Sequence, residues 1–274
     1  MNTRQDKCTS KTARIAVAAI GLCLAGTALA AVREEAVTYR DGDTELKGFV
    51  VYDDASTAKR PGILVVHEMW GINQHMRDEA HRYAAQGYTA FVADLYGDGK
   101  TFDTAKEGLA MVAALKQKPA LLQSRVRAAK DALAGRATVD GSRIGAAGYS
   151  FGGTVVLDLA RADPDLKGAV VFYSSLVPLL APAQVGMVKA KVLVLNGGAD
   201  PFAKPDAVAA FNSEMTAAKA DYRYVTYPEV KHAYSNPRAT ELGKQFNLPF
   251  AYSAEATSQA DSESSNFFSE TFRP

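Results

Sequence analysis

Short, nearly unbroken apolar runs recur along the chain at "GILVV" (62–66), "TAFVADL" (89–95), "GAVVFY" (168–173) and "KVLVLN" (191–196). Such runs suit strands buried on both faces of a parallel sheet. "RIGAAG" (143–148) and "YRYVTY" (222–227) are less apolar but occupy equivalent places. Ahead of them, "VTYRDGDTELKGFVVY" (37–52) sets Asp41-Gly42 between two strand-like segments, a hairpin signal. Helical stretches separate the runs. "NQHMRDEAHRYAAQG" (73–87) ends at a glycine stop, and "TVVLDLARA" (154–162) follows a glycine-rich turn. Within 119–134, Leu122, Val126, Ala129 and Leu133 recur at helical spacing beside Arg125, Arg127 and Lys130. The Ser/Glu-rich tail carries Phe267, Phe268 and Phe272, which predict a last helix docked on the sheet. The alternation predicts one α/β domain: a mostly parallel sheet of about eight strands, helices on both faces and a leading β-hairpin.

The amino terminus breaks this pattern. Arg4, Lys7, Lys11 and Arg14 precede an apolar stretch from Ile15 to Leu24 that is short for a bilayer span, and Ala28-Leu29-Ala30 follows. This order predicts a signal peptide over 1–30, cleavage after Ala30, and a periodic single domain over 31–274 in the periplasm or outside the cell. The short apolar stretch argues against a membrane anchor, and the bulky Leu22 before Cys23 argues against a lipoprotein. Cleavage removes four basic residues and one acidic one, taking the net charge from +1 to about −2. That balance predicts no nucleic-acid partner and no stable association with anionic membranes. Both cysteines, Cys8 and Cys23, leave with the leader, so stability must come from the core rather than from disulfides.

Chemistry concentrates at "AAGYSFGG" (146–153), where Ser150 centres a Gly-x-Ser-x-Gly frame between a strand and a helix. A tight turn there exposes the serine oxygen, and the following helix N-terminus presents amides and a positive dipole end to a developing oxyanion. Serine is a weak nucleophile and needs a base. On such elbows the chain order is serine, acid, histidine. Of the four histidines, 67, 75, 81 and 232, only His232 lies after Ser150. Asp200 in "VLVLNGGADPF" is the acid favoured by that order, with Asp206 its nearest rival. The oxyanion donors are expected at the backbone N–H groups of Met69, in "VVHEMWGIN", and Phe151. His67-Glu68 begins a metalloprotease signature, but Gly71 stands where the second histidine belongs. His75 and His81 are spaced poorly for one metal and are expected to be solvated, so no metal is implied. Trp70, Tyr149, Phe151 and Phe202 are candidates for the pocket walls.

With "HEMWGIN", "ADLYGDGK", "GYSFGG", "GGADPF" and "KHAYSNP" in this order, the sequence resembles the dienelactone hydrolase family of α/β hydrolases. The resemblance covers essentially the whole chain after the leader. It implies the α/β-hydrolase fold and a monomeric, cofactor-free hydrolase of small esters and lactones. It places the catalytic triad at Ser150, Asp200 and His232. Glu68 matches a family glutamate that helps set the nucleophile's resting protonation. Two departures stand out. Well-studied members carry cysteine where this chain has Ser150, and they grip a substrate carboxylate with arginines. "YGDGKTFDT" has no arginine, and Arg238 lies slightly beyond the matching position, which leaves Lys100 and Arg238 as candidates for that grip. The function expected is an exported serine hydrolase acting on a small-molecule ester or lactone. A non-catalytic small-molecule binding protein on the same fold is the alternative from another class, and a peptidase or larger-acyl esterase would differ only in its pocket.

Overall fold

The computed structural model describes residues 1–2 and 32–273; the rest of the expected leader and its cleavage point lie outside the described residues. Strands β1 (Val32–Asp41) and β2 (Thr44–Asp53) form the leading hairpin. Their register pairs Asp41 with Thr44, so the loop has two residues, and Gly42 takes φ 55° there. Such a turn follows the right-handed twist of the strands and favours glycine. The other strands are β3 (Arg60–Val66), β4 (Thr89–Ala93), β5 (Val139–Tyr149), β6 (Gly168–Phe172), β7 (Lys191–Gly197) and β8 (Tyr222–Tyr227). They make one sheet in the order β1-β2-β4-β3-β5-β6-β7-β8. The β1–β2 and β2–β4 pairs are antiparallel, and every pair from β4 to β8 is parallel.

Seven helices among the described residues cover the sheet: α1 (Gln74–Ala85), α2 (Ala105–Lys116), α3 (Pro119–Ala134), α4 (Phe151–Ala162), α5 (Pro205–Ala217), α6 (Ala239–Phe246) and α7 (Ala254–Thr271). The two-residue period of β3 divides the core. Ile63 and Val65 pack with Met76 and Tyr83 of α1 and Phe268 of α7, whereas Leu64 and Val66 pack with Val126 of α3, Val155 of α4 and Phe211 of α5. At about 25 cal/mol per Å2 of apolar surface, each fully buried side chain of this kind contributes roughly 1.5–3 kcal/mol. The tail helix docks as its phenylalanines predict. The Phe268 ring meets Tyr83 and Tyr88 edge-on, and it lies over Gly145, where an added Cβ would come within 2.6 Å of it.

Helices α2, α5 and α6 are not marked by periodicity. In α2 only Ala105, Gly108, Val112 and Leu115 are buried, so its apolar stripe is thin. A local cap starts it instead: the Thr104 hydroxyl accepts from the Glu107 amide and donates to the Glu107 carboxylate. The short α6 ends at Asn247 in the left-handed conformation. Strand β4 also stops earlier than its apolar run. Asp94 is buried and accepts from the backbone amides of Lys47, Tyr96, Gly97 and Gly99 at 2.8–2.9 Å, folding "DLYGDG" into a tight loop.

Candidate active site

The sequence "GYSFGG" forms a turn too tight for ordinary side chains. A Cβ on Gly148 would lie 2.3 Å from the Gly152 carbonyl oxygen, and one on Gly152 would lie 2.2 Å from that of Val66. Between them Ser150 adopts φ 53° and ψ −113°, a strained conformation for an L-residue. Its amide is tied to the Phe172 carbonyl at 3.0 Å, which fixes the elbow to the end of β6. The serine side chain thus stands at the carboxyl end of β5, directly before the first turn of α4.

His232 reaches it from the loop after β8. The Ser150 Oγ lies 2.8 Å from Nε2 of His232, and Nδ1 of His232 lies 2.7 Å from Oδ2 of Asp200. Asp200 follows β7, and its other oxygen accepts from the Phe202 amide at 2.8 Å. The carboxylate therefore holds one imidazole nitrogen as a donor and leaves the other to accept from the serine. Asp206 sits exposed in the first turn of α5. The imidazole is caged by three rings, with centroids 4.8 Å away at Phe202, 5.1 Å at Phe250 and 5.3 Å at Tyr173.

The loop after β3 brings Met69 to the same end of the sheet. The Met69 carbonyl accepts from the Tyr96 hydroxyl at 2.9 Å, and α2 presses Gly108 against it. Those contacts fix the peptide, while the amides of Met69 and Phe151 donate to no acceptor among the described residues. His67 anchors the start of this loop. Its Nδ1 donates to the Glu68 carbonyl at 2.6 Å, and its Nε2 accepts from the Leu95 amide at 3.3 Å. Burial lowers the His67 pKa, favouring the neutral ring that those two bonds require.

Glu68 makes no hydrogen bond to Ser150 among the described residues. It is buried, and its two oxygens accept from Tyr173 Oη at 3.2 Å and from Asn236 Nδ2 at 2.9 Å, whereas the Ser150 hydroxyl pairs with His232. One partner, Asn236, lies on the histidine loop and the other, Tyr173, directly follows β6, so Glu68 ties the loop after β3 to both of these segments. Tyr173 is the hub. It has φ 39°, and its hydroxyl also lies 2.9 Å from Ser235 Oγ and 3.3 Å from His75 Nε2. Burial first, then the Glu68 charge, pushes its phenol well above the ordinary pKa, keeping it protonated. Tyr173 closes the apolar run 168–173, and nothing in that run marks it for a polar role.

His75 is 5% exposed rather than solvated, because α1 turns it into this network. His81 is half-exposed, with Nε2 3.2 Å from Glu34. Tyr149 is not a pocket wall. The alternation along β5 sends it with Ala147 to the α1 side, where it stacks on Phe172 at 4.5 Å and donates to Glu79 at 2.6 Å. Phe151 is buried against Tyr96, and Phe202 is a 40% exposed neighbour of His232. A cavity of about 500 Å3 adjoins the site, lined among others by Trp70, Phe102, Asn236, Arg238 and Leu242. Ser150 and His232 are not in its lining, but Trp70 directly follows Met69 and Asn236 lies on the His232 loop. Lys100 does not line it either: its carbonyl packs under Gly71 and its side chain is exposed. Arg238 does, but its guanidinium is bonded to Glu241 at 3.0 Å. No cluster of three or more potential metal ligands occurs among the described residues.

The geometry has relatives. The profile of the dienelactone hydrolase family matches residues 46–272. A Yersinia pestis protein named "Putative carboxymethylenebutenolidase" is 31% identical over 202 residues, covering 70% of this chain and 74% of that protein. A crystal structure of a dienelactone hydrolase-like promiscuous phosphotriesterase from metagenomic libraries superposes with a TM-score of 0.81 at 31% identity, over 89% of this chain and 100% of that one. A Klebsiella pneumoniae structure, at 22% identity and a TM-score of 0.70, shares the fold over 88% of this chain and 99% of its own.

Proposed function

Since the chain belongs to the dienelactone hydrolase family, a family of α/β hydrolases, we propose that it cleaves a small carboxylic ester or lactone with Ser150 as nucleophile. The observation that carries this reading is the unbroken line from Asp200 through His232 to Ser150, at 2.7 and 2.8 Å. His232 Nε2 removes the hydroxyl proton as Ser150 Oγ bonds to the carbonyl carbon. Asp200 stabilises the imidazolium that results. The amides of Met69 and Phe151 receive the oxyanion, helped by the N-terminal dipole of α4. Collapse of the tetrahedral intermediate breaks the bond to the leaving oxygen, which takes the proton from His232. In a lactone that alcohol stays attached to the acyl group. A water, deprotonated by His232, then releases the acid and restores the serine.

The elbow supports a serine nucleophile at the position where well-studied family members carry cysteine. Glu68 is engaged elsewhere, so the resting state we propose is a neutral hydroxyl hydrogen-bonded to His232. Export is part of the same proposal and rests on the basic, apolar and small-residue order of residues 1–30. The enzyme is expected to turn over p-nitrophenyl acetate and to take one fluorophosphonate per chain, mapped to Ser150. It is expected to resist iodoacetamide once the leader and its cysteines are gone. A correctly folded protein that neither turns over short esters or lactones nor labels at Ser150 would instead be the binding protein of the alternative reading.

A further inference from the structure

The cavity beside Trp70 has a charge pattern of its own. Its apolar walls are Trp70, Ile72, Phe102 and Leu242. Asp78 and Asp103 stand exposed at its edge, and Arg238 is the one Lys or Arg in its lining. That cation already has an acidic partner: its guanidinium bonds to both carboxylate oxygens of Glu241, at 3.0 and 3.5 Å, and it also feels the charge of Asp103. Asp78 accepts from the neutral amide of Gln74 at 2.8 Å, which leaves its charge uncompensated. Deeper in, Asn236 spends its amide nitrogen on the buried Glu68 carboxylate, placing another negative group behind the wall. A carboxylate entering this space would meet Asp78 and Asp103 at its edge, and the one cation it could reach is already shared with Glu241. Burying a charge without a partner is costly, whereas an uncharged ring loses little on entry.

We propose that this cavity is the acceptor site for the substrate body and that it selects uncharged esters and lactones against carboxylate-bearing ones. The substrate assignment rests on the hydrolase reading, but occupancy of the cavity does not require turnover. Trp70 is the only tryptophan of the chain and lines the cavity, so its fluorescence reports occupancy directly. The experiment uses the full chain carrying Ser150→Ala, which removes turnover at a residue outside the cavity lining. This protein is titrated with γ-butyrolactone and with the same ring bearing a carboxylate. The neutral lactone is expected to change Trp70 emission saturably, and the carboxylated one to bind at least about fivefold more weakly at low salt. Adding Asp103→Asn and Glu241→Gln, which frees Arg238, should narrow the ratio between the two to within about twofold. Equal or tighter binding of the carboxylated lactone, or no Trp70 response to either, overturns the proposal. A saturable Trp70 response alongside a wild-type protein that does not label with fluorophosphonate would sink the serine mechanism while leaving the cavity's selectivity standing.

Discussion

His67 and His232 are both about 95% or more buried, both lie in loops at the carboxyl end of the sheet, and both use both ring nitrogens. Their partners set them apart. His67 is held by backbone groups alone, a carbonyl and an amide, which select one neutral tautomer and lower its pKa through burial. His232 has a carboxylate on one side and a hydroxyl on the other. Protonation at Nε2 therefore breaks the bonding at His67, because Leu95 donates there, but at His232 it yields an imidazolium facing Asp200. The first arrangement locks a loop; the second can accept and return a proton. Burial alone does not separate a structural histidine from one suited to catalysis, and the charge state of its partners does.

The sharpest way to break that contrast is by substitution. His232→Ala or Ser150→Ala is expected to lower ester turnover at least about 1,000-fold, and Asp200→Asn to lower kcat by about 10,000-fold through the wrong tautomer, with far-UV circular dichroism unchanged. His67→Ala should act on stability instead. It removes two buried hydrogen bonds and opens a cavity, so urea unfolding is expected to show a loss of roughly 2–4 kcal/mol. A His67→Ala protein of wild-type stability but abolished turnover would reverse the two roles.

A smaller effect is expected from Tyr173→Phe. The ring still packs on His232, but the hydroxyl that bridges Glu68, Ser235 and His75 is lost. Glu68 then keeps only its Asn236 donor, and a destabilisation of about 1–3 kcal/mol is expected by chemical denaturation. Because the loops of His232 and Met69 are joined through this hydroxyl, kcat should fall several-fold with KM less affected; an effect on KM alone would argue against a positioning role.

The smallest effect is in the pH dependence. The folded pKa of His67 lies below its ordinary 6.5, so the unfolded chain binds the extra proton first as pH falls. Its contribution is full above that value and declines on acidification toward the folded pKa, by up to about 1.4 kcal/mol per pH unit. Asp261 works in the opposite sense. Burial, then repulsion from Glu79, pushes its carboxyl up to about 6, so protonation below that pH relieves the folded state. The His67 contribution is therefore the difference between wild type and His67→Gln, measured by thermal unfolding from pH 7 to pH 5. A difference that does not shrink as the pH falls would show that the ring is not held neutral.

Most of the sheet was legible because a strand buried on both faces writes itself as a short apolar run, as in 62–66 and 191–196. The triad candidates were legible because chain order after an elbow serine left a single histidine. Helix α2 was not, since only four of its residues are buried, one of them a glycine, and its start depends on the Thr104–Glu107 cap. Nor was the burial of His75, whose helix is polar in composition but is covered by Tyr149 and the histidine loop.

Local sequence set the periods, the turns and the order of the chemical groups: Gly148 and Gly152 around Ser150, Asp41-Gly42 in the hairpin, and the phenylalanines of the tail. Tertiary structure alone decided which polar groups meet. Glu68 finds Tyr173 and Asn236 across 105 and 168 residues, Tyr149 finds Glu79 across 70, and Arg238 is paired with Glu241 before any ligand arrives. Periodicity depends on which face of an element is buried, which each segment carries in itself. The pairing of a buried polar group depends on what the fold places opposite it, and a hydrogen bond changes from full strength to nothing within about one ångström.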